Sequence, residues 1–120
     1  MSKALILVES DPVVAIDLSQ TLNESFPRLP IEVFNSYREA HAALQARGSA
    51  PSLLVMSLRE SQRAESDLAI EIGRAAQHLV VISDDAQAIV AAVPGCVVVS
   101  RPFTGKMIAD ALIRSGAVAR

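Results

Sequence analysis

Cysteine and aromatic residues are scarce in this chain: Cys96 is the only cysteine, tryptophan is absent, and one tyrosine with three phenylalanines makes up the 3% of aromatic residues. A single thiol excludes an intrachain disulfide and any thiolate metal cluster, and it suits a reducing cytoplasm. So few aromatics mean that burial has to come from many aliphatic contacts. Neither sign of charge prevails, with 11 basic and 13 acidic residues and a net charge of -2. The two signs are mixed along the chain, so there is no basic stripe to neutralise phosphates, and nucleic-acid binding is not expected. Long apolar runs are also missing. Nothing approaches the roughly 20 residues of a membrane span, and the apolar run in "MSKALILVE" is far short of a signal peptide's core. A soluble, cytoplasmic chain that does not engage a membrane is the expectation.

What is there is a 120-residue sequence that is 51% apolar, mostly Ala, Val, Leu and Ile. That length builds one domain, residues 1–120, around a single core. Five short apolar runs alternate with segments of helical period, the pattern of strand–helix units around a parallel sheet. They are "ALILV" at 4–8, "IEVF" at 31–34, "LLVMS" at 53–57, "LVVIS" at 79–83 and "CVVV" at 96–99. The first, third and fourth are continuously apolar, as strands covered on both faces should be. "IEVF" alternates and reads as an edge.

The helical segments carry their own punctuation. Asp11-Pro12 reads as an N-cap followed by proline at the first helical position, with Val14, Leu18 and Leu22 recurring at four-residue spacing and an end near Ser25. Ser36 and Gly48 bracket a second helix with Tyr37, Ala40 and Leu44 on one face. A third begins after Glu65 and carries Leu68, Ile72 and Ala75; a short fourth carries Ala86, Ile89, Val90 and Val93 and stops at Pro94-Gly95. The fifth follows a Thr104 cap, with Ile108, Ala111 and Leu112 inward. Right-handed crossovers then give an α/β three-layer sandwich, a flavodoxin-like (βα)5 fold with a parallel sheet of order 2-1-3-4-5. In that order a site gathers at the carboxyl ends of the strands, where Glu9, Ser57 and Ser83 lie and to which strand 5 brings Arg101.

The segments "LILVESDP", "PSLLVMSL", "VVIS" and "VVVSRPF", in that order and at these separations, resemble the receiver domain of two-component response regulators, and the resemblance spans essentially the whole chain. It implies a pocket in which an aspartate at the end of strand 3 takes a phosphoryl group from a phosphohistidine. Mg²⁺ held by strand-1 carboxylates neutralises the developing charge there. Measured against that pattern the chain departs at several positions. Ser57 stands at the phosphoacceptor, and a hydroxyl without a base beside it is a poor nucleophile. Ser10 replaces the second member of the acidic pair that follows strand 1 and leaves Glu9. Arg101 replaces the lysine, and its planar fork suits a bidentate carboxylate partner, so an Arg101–Glu9 ion pair filling the pocket is expected. Ser83 is retained. Val98 occupies the position of the aromatic that swings inward in the family's switch.

For several of these residues two readings stay open. Ser57 is either a small residue closing a buried strand or a regulatory phosphosite; Asp11 is a helix cap or a metal ligand. Asp84 offers a carboxylate to the rim, while Asp85 reads as a cap. His41 and His78 have no acid and nucleophile at matching spacing, so no catalytic or metal role is assigned to them. Cys96 is expected as a buried, inert thiol, and "LRESQRAESD" at 58–67 as a solvated loop. The expectation is therefore a non-phosphorylatable receiver-like module, not an enzyme, without cofactor or metal. It would act through its surface at Ile89, Val90, Val98, Lys106 and Met107 on a histidine kinase, a response regulator or another pathway component, or on a second copy of itself. Two alternatives are a small ligand or nucleotide bound at the rim, and a receiver phosphorylated on Asp84 or Asp11.

Overall fold

The computed structural model describes residues 4–48, 51–58, 66–83, 93, 95–99 and 104–116. Within them the chain forms β1 (Leu5–Val8), α1 (Pro12–Ser25), β2 (Ile31–Phe34), α2 (Tyr37–Arg47), β3 (Leu53–Ser57), α3 (Ser66–Ala75), β4 (His78–Ile82), β5 (Val97–Val99) and α4 (Gly105–Arg114). The strands pair in parallel in the order β2-β1-β3-β4-β5, the flavodoxin-like order that the run pattern predicts. β1 and β3 occupy the interior of the sheet and every residue in them is buried, as a continuously apolar run covered on both faces requires. β2 is an edge, and its residues are half-buried or exposed.

Strand alternation sorts the core into two layers. Leu5, Leu7, Leu53, Val55, Val80 and Ile82 pack with Leu18 and Leu22 of α1 and Ile108 and Leu112 of α4. Ile6, Val8, Leu54, Met56, Leu79 and Val81 pack on the other face with Tyr37 and Ala40 of α2 and Ala69 and Ile72 of α3. Each fully buried aliphatic side chain of this kind contributes about 1.5–3 kcal/mol of transfer free energy.

The helix ends follow the local signals. Asp11 accepts the Val13 N–H at 2.9 Å and that of Val14 at 3.4 Å, with Pro12 leading the helix. Ser36 accepts the Glu39 N–H at 3.1 Å, and Gly48 closes α2 at φ 66°, a left-handed turn that favours glycine. Thr104 accepts the Met107 N–H at 3.3 Å. Gly105 matters for packing rather than turning. A Cβ on Gly105 would lie 2.2 Å from Thr21 Cγ2, so α4 approaches α1 as closely as the absence of a side chain allows.

Several expectations change. The inward stripe of α3 is Ala69, Ile72 and Gly73, whereas Ala75 is exposed and Leu68 half-buried. The cause is close approach to the sheet, since a Cβ on Gly73 would sit 3.1 Å from both Leu79 Cδ2 and Met56 Cε. β4 starts one residue early, at His78, and ends before Ser83. The segment expected as a solvated loop is buried at Leu58 and already helical at Ser66 and Asp67. The helix expected around Ala86, Ile89 and Val90 lies outside the described residues, as does the loop at 59–65; Val93 is buried.

Candidate functional site

Parallel register carries the ends of β1, β3 and β4 to one edge of the sheet. Val8 pairs with Met56, and Ser57 with Ile82. Each strand then continues one hydrogen bond into its neighbour: the Glu9 N–H donates to Phe34 O at 3.0 Å, Leu58 N–H to Ile82 O at 2.9 Å and Ser83 N–H to Val99 O at 3.1 Å. Glu9, Ser57 and Ser83 thereby gather at the carboxyl rim, as the topology predicts, and all three are buried, Glu9 and Ser57 completely. Ser10, one residue on, is exposed. Arg101 and Asp84 lie outside the described residues, so the expected Arg101–Glu9 pair does too.

Glu9 is held from two directions. The Asp11 N–H donates to its Oε2 at 3.3 Å, and Asn35 Nδ2 donates to its main-chain carbonyl at 3.1 Å. Asp11 in turn uses Oδ1 to cap α1. Ser57 is held through its main chain, where the Tyr37 hydroxyl donates to its carbonyl oxygen at 2.5 Å. The sequence places Tyr37 on an inward helical face but does not announce this bond. A signal was nevertheless present, because a buried tyrosine hydroxyl requires a partner. Asn35 was missed for a similar reason: its side chain serves a backbone atom 26 residues away.

The donor set among the described residues does not fit the Mg²⁺ that the resemblance implies. A hard divalent site needs carboxylate oxygens with phosphate or water. The described rim supplies one buried carboxylate, Glu9, beside two neutral serine hydroxyls, and no cluster of three His, Cys, Asp or Glu among the described residues could hold a metal ion.

Away from the rim, Val98 is half-buried and Met107 is 41% exposed. Together with Lys106, Asp110 and Arg114 they line a groove of about 530 Å³ between β5 and α4. Ile89 and Val90, expected on the same surface, are outside the described residues. Cys96, expected to be buried, is half-buried just before β5, and that partial burial pushes its thiol pKa up, against a smaller opposing backbone hydrogen bond. His41 and His78 both have partners, Glu71 and the Ser115 carbonyl, that spacing alone did not indicate. No helix among the described residues is long and apolar enough to cross a membrane.

No family model matches the sequence, and no curated protein matches it. Solved structures do. A response regulator receiver protein from Sinorhizobium medicae superposes with a TM-score of 0.70 at 20% identity, covering 95% of this chain and 94% of that one. A response regulator receiver domain protein from Clostridium thermocellum gives a TM-score of 0.75 at 10% identity, covering 96% and 94%. An atypical orphan response regulator, described as having a phosphorylation-independent regulatory mechanism, gives 0.65 at 14% identity over 93% of each chain. Strand order, two-layer core and near full-length superposition agree: this chain has the fold of a response regulator receiver domain.

Proposed function

We propose that this chain is a receiver-fold signalling module that does not take a phosphoryl group by the acyl-phosphate route and acts through protein–protein contacts. The observation that carries this reading is Ser57. At the position where the resemblance implies the phosphoacceptor carboxylate, the chain has a fully buried serine at the end of β3. A hydroxyl there forms no acyl phosphate, and one buried carboxylate among the described rim residues gives Mg²⁺ little purchase. Burial also argues against Ser57 as a kinase substrate, because its hydroxyl has no solvent access. The orphan regulator with a phosphorylation-independent mechanism supplies a precedent for the fold working without the chemistry.

On this reading the protein is not an enzyme and is cytoplasmic. Its contact surface is the β5–α4 groove, where Lys106, Asp110 and Arg114 set alternating charge at four-residue spacing beside the exposed Met107. That surface suits a histidine kinase, a response regulator or a second copy of the chain. The test is incubation with a small acyl phosphate donor and Mg²⁺, followed by intact-mass measurement. No mass increase is expected. A phosphoryl adduct that disappears on Asp84→Ala or Asp11→Ala overturns the proposal and makes the chain a receiver with a displaced acceptor.

A further inference from the structure

Both histidines of the chain sit at joints between elements. His78 Nδ1 lies 3.2 Å from the Ser115 carbonyl, tying the start of β4 to the end of α4. His41 Nε2 on α2 lies 3.3 Å from Glu71 Oε2 on α3. The second joint spans a gap. Between α2 and α3 opens a groove of about 240 Å³ whose lining includes Leu44, Gly48 and Ile72 as well as both members of the pair. Helices separated by such a groove forgo part of the dispersion contact that would otherwise hold them, so a side-chain link across it carries a larger share of their attachment.

We propose that His41 and Glu71 form a proton-dependent clasp between α2 and α3. A protonated imidazole is drawn to the carboxylate as an ion pair, which the neutral ring is not, and histidine is the side chain that changes charge near neutral pH. The His41 side chain is 23% exposed, which limits solvent screening on its side, while Glu71 at 62% exposed keeps its charge in water. Other charges stand nearby. By helical spacing Arg38 lies one turn before His41, and Asp67 and Arg74 flank Glu71 by one turn each. The sheet face beneath, formed by residues such as Ile6, Leu54 and Val81, is apolar. Acidification through the histidine range tightens α2 onto α3, and a rise in pH loosens the joint.

A double-mutant cycle of His41→Gln and Glu71→Gln, read by urea unfolding at about pH 5.5 and about pH 8, isolates the pair. The flanking charges and the His78 contact are common to all four proteins and cancel. The expected result is a coupling of about twofold or more in the unfolding equilibrium at the lower pH, falling towards unity at the higher. Equal coupling at both, or none at the lower pH, overturns the clasp. Amide exchange across residues 37–47, corrected for intrinsic rates, gives an independent readout on the wild-type protein. Protection there rises on acidification if the clasp operates, and pH-independent protection overturns it.

Discussion

Tyr37 is the only tyrosine beside three phenylalanines, and its ring is fully buried while its hydroxyl reaches the Ser57 carbonyl. This bond ties the first turn of α2 to the end of β3, the strand end on which the functional reading rests. Tyr37→Phe keeps the ring and removes only the donor. The expected cost is about 1–2 kcal/mol in urea unfolding with the fold retained, because a buried acceptor loses a partner rather than a contact surface. A loss indistinguishable from zero would mean that another donor replaces the hydroxyl. The apolar face of Tyr37 is legible in the sequence because it follows helical spacing. Its hydrogen bond is not, since the acceptor is a main-chain oxygen 20 residues away and every residue carries one.

At the level of elements, the edge strand β2 is the exposed flank of the sheet, and edges left bare invite pairing with other chains. Glu32 on β2 is clasped by the guanidinium of Arg47 at the end of α2, with Nη1 2.6 Å from Oε1 and Nη2 on Oε2. The hydrogen bonds from Arg47 hold the Glu32 carboxyl below its ordinary range; slight burial opposes this, and the positive charge adds to it. A folded-state value below the unfolded one stabilises the protein above the unfolded pKa of about 4.3, and that stabilisation is lost as pH falls through the folded value. Glu32→Gln is therefore expected to be slightly less stable than wild type at neutral pH, with the two unfolding midpoints converging under acid. Added salt should shrink the neutral difference, because both side chains are well exposed. A difference that persists at acid pH would point to packing instead of charge. Element boundaries set by local chemistry, such as Asp11-Pro12, Ser36 and Gly48, are legible from neighbouring residues alone. The facing of α3 is not: Gly73 turns towards the sheet only because Leu79 and Met56 are there to meet it.

Across the whole molecule, the α1/α4 layer is locked at the contact of Gly105 with Thr21. Thr21 is stiff, being β-branched and hydrogen-bonded through Oγ1 to Asp17 O at 3.0 Å, so it cannot yield cheaply. Gly105→Ala is expected to cost about 1–3 kcal/mol and lower the melting temperature despite alanine's better helix propensity. Thr21→Ala in that background should recover only part, because it removes Cγ2 and Oγ1 but leaves Cβ, which the new methyl would meet at 2.5 Å. Full recovery, or no loss at all, would show that the layer slides. Sheet order and the rim residues Glu9, Ser57 and Ser83 are legible because alternation and crossover handedness leave few alternatives. How Glu9 is held is a matter of long-range contacts such as that from Asn35, which no local pattern encodes. The lone thiol of Cys96 provides a way to watch the molecule as one body. Half-buried at the approach to β5 and held towards its protonated form, it needs alkaline conditions to react, and as the chain's one cysteine it would take a single dye without any residue being replaced. A fluorophore placed there would stand next to the edge of the sheet bordering the proposed contact groove, and its brightness would register a partner's arrival in an otherwise native chain.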